Sequence, residues 1–512
     1  MPTDISLSLI VFIPALGALL VLGLPVATDL QRFRVRTTAL FSTLLPLMIA
    51  SFDLLGEVGN SSQGALAQPS LDAPWLRHFF FQLDYHLGTD GLNLMLLFAV
   101  TAVFPALVLA SWRQRERYRT HFALLLLVEV SLTGLFATQD LLLFLIFFAL
   151  PVVPLSVLVA SGGDGLARRA GRRVLVSQSL STAALLVAIL LMLLRTGNVT
   201  FDFLTLATVS PVKGAPALIV AALLLFAFGS RMAIFPLHRW LVEGVAAAPT
   251  PVGMLLAIAS LPVGAYGLVR VFLSMDPLAS LQLVRPILAL ALVTLFWGAL
   301  AARGSRDPRR IVGFGLVALG GPVLLGVTVS SETSIAGAIG LAFAYVFFAP
   351  LLVLTVGAVC DRAGRRQLVD LAGIAAGAPR LRLLFALGVA GLLGVPLLAG
   401  FPALFQLLVG SFVAHRFVTA LTCVGLLVLT AALWRLLGKV FWTGPREELQ
   451  ELVPDAHGSE FYAGWIMAGL LIVFGISAGY FAPYTVHGTD LVAARVSSYA
   501  PAPAHVSKGT HG

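Results

Sequence analysis

Four side chains able to carry charge or protons lie inside or beside long apolar stretches: Glu129, Arg231, His238 and Tyr345. A lone acid within a membrane span costs about 2.5–3.5 kcal/mol on insertion scales, so Glu129 should face the interior of a bundle and find a partner. Arg231 is the partner to look for, because each charge is expensive alone. A buried lysine can release its proton, whereas arginine keeps it. Arg231 therefore reads as a fixed counter-ion to Glu129 rather than as a carrier. His238 reads as a capping or packing group rather than a proton donor. The phenol of Tyr345, with an ordinary pKa of about 10, is a poor carrier at neutral pH.

The elements that must position these groups are membrane helices. The chain has 512 residues, of which 59% are hydrophobic and 11% charged, with a mean hydropathy of +0.96. Apolar runs long enough to span a bilayer as helices recur from end to end. In hydrocarbon each backbone polar group needs an internal partner, which helices supply. The short alternating segments of a membrane barrel are not seen. Approximate spans are 4–28, 38–57, 90–112, 119–138, 140–161, 174–194, 216–237, 249–273, 281–302, 311–330, 335–360, 381–413, 416–441 and 461–483. The pattern thus predicts an all-α polytopic bundle of about fourteen transmembrane helices. Residues 1–483 form the transmembrane domain, and 484–512, rich in Ala, Pro and Ser, form a flexible external tail.

The net charge of +9 comes from arginines in alternate loops, a distribution that does not suggest nucleic acid. The rich loops hold Arg32, Arg34 and Arg36, then Arg113 to Arg119, Arg168 to Arg173, Arg303 to Arg310, Arg362 to Arg382, and Arg435 to Arg446. The loops between them carry far fewer. By the positive-inside rule the rich set is cytoplasmic, and an even span count then puts both termini outside. The N-terminus lacks a basic n-region and reads as a retained helix rather than a cleavable signal. Cys360 and Cys423 are too few for an iron–sulfur or zinc site and read as inert core residues.

Longer motifs resemble one family. The run Phe226-Ala-Phe-Gly-Ser-Arg231-Met-Ala-Ile-Phe-Pro236-Leu-His238-Arg-Trp240, followed by Ala248-Pro249-Thr250, resembles the signature of the antiporter-like membrane subunits of respiratory complex I. The stretch from Leu127 to Pro154 is similar to helices four and five of the subunit M (chain 4) type, with Glu129 on an acidic family position. Tyr85-His-Leu87-Gly88-Thr-Asp90 resembles the turn into helix three, where Asp90 reads as a cap. Asp307-Pro-Arg309-Arg310 resembles the entry into helix ten, and Gly394 to Phe412 aligns with a broken helix twelve. Trp240 fits an interfacial aromatic belt.

The resemblance implies two inverted repeats, about 119–273 and 281–441, with broken helices near 262 and 396–402. It also implies a relay of titratable residues that this chain has lost. The family has glutamates at Ala149 and Leu404, lysines at Arg231 and Pro262, and histidines at Leu319 and Tyr345. The implied function is an integral subunit of a proton-translocating NADH/quinone oxidoreductase, with other membrane subunits and the lipid bilayer as partners and a bacterial-type inner membrane as its location. With the relay degenerate, the implied role is structural. The alternative is the membrane component of a bicarbonate-uptake complex or a cation/proton antiporter assembly. No phosphate-binding glycine loop, metal-ligand cluster or nucleotide fold is legible, so the chain is expected to carry no cofactor, no metal and no catalytic chemistry of its own.

The arginine alternation generates a topological test. A cysteine placed in the 162–173 loop should react only with reagents that reach the inner face. Labelling from the outer face would overturn the fourteen-helix arrangement.

Overall fold

The computed structural model describes residues 3–61, 70–76, 83–114, 117–196, 201–208, 214–443 and 453–499. Among these, twelve helices are long and apolar enough to cross a membrane, from Ile5–Gly23 to Ser459–Ile476. By length, twelve qualify where the sequence predicts fourteen. The other two, 216–237 and 381–413, are each interrupted. The first ends early, as Ala215–Arg231, and a further helix Arg239–Ala247 follows beyond the expected span; the second becomes Pro379–Leu392 and Gly400–Ala414.

The split at 232–238 is a correction to the straight helix expected there. Ala233 takes a left-handed backbone (φ 57°), and the Phe235–Pro236 bond is cis. The expected break near 262 lies slightly earlier, at Ala259–Ser260, because Pro262 occupies the first turn of helix Leu261–Gly267, where its missing N–H costs nothing. The break expected at 396–402 lies at 393–399. Gly394 (φ 66°) and Leu397 (φ 74°) turn the chain, while Pro402 sits in the first turn of the following helix.

The interruptions repeat at an interval of five spans. Helix 141–160 is broken at Leu150–Pro151, and its counterpart 308–329 at Leu319. The splits at 232–238 and 393–399 correspond in the same way. Thr250–Leu273 and Arg416–Trp442 both end in a π-helical turn, Leu268–Leu273 and Gly438–Trp442. Even the caps correspond: Asp140 accepts from the N–H groups of Leu142 and Leu143, and Asp307 from those of Arg309 and Arg310. Five crossings are an odd number, so the second set enters the membrane from the opposite side, as an inverted repeat requires.

Packing ranks the helices. The windows of Thr250–Leu273, Pro308–Val329 and Glu332–Ala363 are almost wholly buried, whereas Gly165–Leu194 and Arg416–Trp442 turn most of theirs outward. Lipid offers no hydrophobic drive between helices, so close backbone approach at small residues matters. Helix Glu332–Ala363 packs along Gly400–Ala414 in this way. A Cβ added at Gly337 would lie 2.2 Å from the backbone nitrogen of Leu407.

One end is stitched by the arginine-rich loops. Arg309 bridges to Asp361, Arg362 to Glu460 at 2.6 Å, and Arg366 to Asp164 at 3.1 Å. The opposite end carries a two-stranded antiparallel hairpin, Ser70–Leu76 with Leu83–Gly88. There Arg270 bridges to Asp90 and Gln139, and His86 lies 3.0 Å from Asp202. The segregation of arginines read from the sequence is thus a property of the folded ends.

The expected loose tail from 484 is corrected in its first part. Residues Ala478–Ser498 form a helix. Thr489, Val492 and Val496 are buried, spaced three and four apart on one face, and that face packs against helix Glu332–Ala363. Residues 500–512 lie outside the described set.

The contact at Gly337 is testable. Gly337→Val should destabilise the purified protein by about 1–3 kcal/mol, read as a lower melting temperature. Gly304→Ala, whose added Cβ meets nothing within 4 Å, should leave it unchanged.

Candidate functional site

Glu129 sits in helix Tyr118–Ala137 and is fully buried. Neither carboxylate oxygen has a protein hydrogen-bond partner. Arg231, the last residue of helix Ala215–Arg231, is 1% exposed. Its Nη2 donates to the carbonyl of Phe148, and its guanidinium carbon lies 4.1 Å from the centre of the Phe148 ring. Among the described residues no carboxylate lies within ion-pair distance of it. The expected Arg231–Glu129 pair is therefore corrected. The physical reason is the break at Leu150–Pro151: Pro151 has no N–H to continue the helix, so acceptors nearby are short of donors. Arg231 takes one of them, in the residue next to Ala149.

The first half is filled by rings around this point. Phe144, Phe148 and Phe228 contact one another with centroids 5.8–6.1 Å apart, and Tyr266 joins Phe144 at 6.2 Å. Pro262 is buried in the helix that follows the next break. At that break Ser260 donates to the carbonyl of Ala257 at 2.6 Å, and the hydroxyl of Tyr345 lies 3.3 Å from Ser260 Oγ. Tyr345 thus spans from the second half to the interrupted helix of the first. Ser260 was not singled out in the sequence, although a serine two residues before a buried proline is the signal that marks it.

His238 lies at the break after Arg231. The indole Nε1–H of Trp297 can only donate, and it points at His238 Nε2 at 3.2 Å. The ring therefore accepts there and is neutral, with its proton on Nδ1. It stacks on Phe235, with centroids 5.8 Å apart, which is a packing geometry. Trp240 is a further correction. It is 2% exposed, and its Nε1 donates to the carbonyl of Ser230 at 2.8 Å. It satisfies the broken helix instead of facing an interface. Asp90 accepts from the N–H groups of Leu92 and Asn93 in the turn ahead of helix Leu94–Ala110, which itself has no side-chain cap, and it also holds Arg270, a partner 180 residues away that no local pattern reveals.

The second half is equally apolar. Leu319 is fully buried and Leu404 is 5% exposed. Beside the second split lies a cavity of about 60 Å³ whose lining includes Met95, Gly340, Phe343, Pro402 and Phe474, with Gln406 as its one polar side chain. Gln406 can hydrogen-bond but cannot titrate. No group of three or more metal-ligating side chains converges among the described residues.

Residues 138–430 match the family described as NADH:quinone oxidoreductase/Mrp antiporter, TM. The chain belongs to this family. It is 30% identical over 459 residues to NAD(P)H-quinone oxidoreductase chain 4 2 of Microcystis aeruginosa, covering 88% of this chain and 81% of the relative. It is 27% identical to NADH-quinone oxidoreductase subunit M of Rhodobacter capsulatus, covering 87% and 88%. A chain of respiratory complex I from Thermus thermophilus superposes with a TM-score of 0.84 at 25% identity, covering 96% of this chain and 99% of that one. A chain of the Mrp complex from Dietzia sp. shares the fold, with a TM-score of 0.81 at 20% identity over 97% of this chain and 98% of that one. The resemblance read from the motifs is thus a family membership, in a multi-pass membrane fold.

The Arg231–Phe148 contact predicts coupling. Phe148→Leu should lower the thermal stability of the purified protein, and should do so much less in an Arg231→Met background. A double-mutant cycle should return about 0.5–2 kcal/mol for the pair. Equal losses in both backgrounds would show that ring and guanidinium act separately.

Proposed function

We propose that the chain is a subunit M-like membrane component of a complex I-type NADH/quinone oxidoreductase and that its own central relay does not carry protons. Its role there is to join and space neighbouring membrane subunits. It resides in a bacterial-type inner membrane with both termini outside, and flavin, iron–sulfur and NADH chemistry belong to other subunits.

The observation that carries the second part is the content of the axis. A relay across about 30 Å of hydrocarbon needs a file of titratable groups and water. The six central positions hold Ala149, Arg231, Pro262, Leu319, Tyr345 and Leu404. Arg231 keeps its proton and is tied to a backbone carbonyl, while rings and aliphatic side chains fill the space around it. The first part is supported by the chain 4 and subunit M relatives and by the extent of the complex I superposition. Purifying the tagged chain and identifying its partners by mass spectrometry tests it. Quinone-reductase subunits are expected. A large soluble zinc protein, or cation/proton antiporter subunits alone, would replace this reading with the carbon-uptake or antiporter alternative.

Two substitutions test the relay in reconstituted vesicles with a pH-sensitive dye. Tyr345→Phe should leave proton uptake intact, because the hydroxyl serves a hydrogen bond to Ser260 and not a transfer step. Ala149→Glu alone should restore nothing, since a path is limited by its widest gap. A large loss of uptake in Tyr345→Phe, with assembly preserved, would reveal a live channel by an altered route.

A further inference from the structure

The arginine-rich end carries a groove that the relay does not use. Helix Gly165–Thr196 forms one wall, and the end of helix Ala215–Arg231 with the turn after it forms the other. Its volume is about 330 Å³. At its mouth stand Arg172, Arg173 and Arg239, all exposed. One carboxylate serves them. Glu243 bridges to Arg173 and lies 3.4 Å from Arg239, holding those two guanidinium groups together. Arg172 has no carboxylate within bridging distance among the described residues. The mouth therefore carries three positive charges against one negative.

Below the arginines the groove turns apolar. Val176, Leu180 and Phe226 line it at successive depths and are 52%, 54% and 38% exposed. Val176 and Leu180 are four residues apart, so they stack along one face of the helix, one turn deeper each time. A cationic mouth over an apolar slot matches one class of molecule, an amphiphile with an anionic head. Guanidinium forks suit phosphate oxygens better than an ammonium would, because they bind bidentately.

We propose that this groove binds an anionic phospholipid, its phosphate against Arg172, Arg173 and Arg239 and an acyl chain along Val176, Leu180 and Phe226. The lipid fastens the outward-turned helix Gly165–Thr196 to the broken helix that carries Arg231. Basic pockets of this kind between membrane helices hold anionic lipid head groups.

The test uses the intact complex, delipidated in detergent and titrated with phosphatidylglycerol, phosphatidylcholine or inorganic phosphate, with bound lipid read by native mass spectrometry. Phosphatidylglycerol should be retained and phosphatidylcholine should not. Arg172→Gln with Arg239→Gln should weaken retention roughly fivefold for each arginine removed. Leu180→Asn should weaken it with the arginines intact. Arg168→Gln, an exposed charge outside the groove, should not change it. Four results would overturn the proposal: unchanged retention in the double variant, equal loss in the Arg168 control, displacement of the lipid by inorganic phosphate, or cross-linking of a Val176→Cys probe to another subunit in place of lipid.

Discussion

Hydrocarbon permits no unpaired backbone, and the architecture of this protein follows from how it meets that demand at its broken helices. Each interruption frees carbonyl and N–H groups at membrane depth. Side chains from elsewhere take them up. Arg231 donates to the carbonyl of Phe148, Trp240 to that of Ser230, and Ser260 to that of Ala257. Asn93 reaches the carbonyl of Gly88 where the hairpin meets the third span. These bonds let the first half keep its bends without exposing backbone to lipid, and at the split of the second half the N–H of Ala399 donates to the carbonyl of Leu471.

That constraint explains why the bends need no titratable group to hold them. A break is a backbone feature, fixed by Pro151, Pro236, Pro262 and Gly394, and its repair needs donors and acceptors rather than protons in transit. Arg231 illustrates the difference. A lysine there would offer a proton that can leave. The guanidinium offers a permanent charge, a donor to a carbonyl and a face for an aromatic ring. The surrounding phenylalanines then close the space in which a water file would run.

Glu129 stands apart from this scheme. It is fully buried in helix Tyr118–Ala137 with both carboxylate oxygens unpartnered by protein. A buried acid of this kind is rarely kept for packing, because an alanine or leucine would cost nothing. The helix that carries it packs against Ile5–Gly23, Asp29–Gly56 and Leu94–Arg113, and also against the broken helix Leu141–Ala160.

By itself the sequence determined the class of fold, the approximate spans and the gathering of arginines at one end. These are legible because lipid imposes them on composition: length and polarity of a span are local, and loop charge is a count. Two breaks were also legible, through Pro262 and through Pro396, Gly400 and Pro402. The tertiary structure alone decided what each buried group touches. Arg231 and Phe148 are 83 residues apart, Tyr345 and Ser260 are 85, and Arg270 and Asp90 are 180. A charge-pairing argument selects Glu129 for Arg231 because both are ionised residues in apolar runs. The fold instead supplies a free carbonyl and a ring at closer range. The break at 232–238 and the helix at 478–498 were hidden for a related reason. The helix is set by packing against Glu332–Ala363 and the break by the local backbone at Ala233 and Pro236, and hydropathy along the chain records neither.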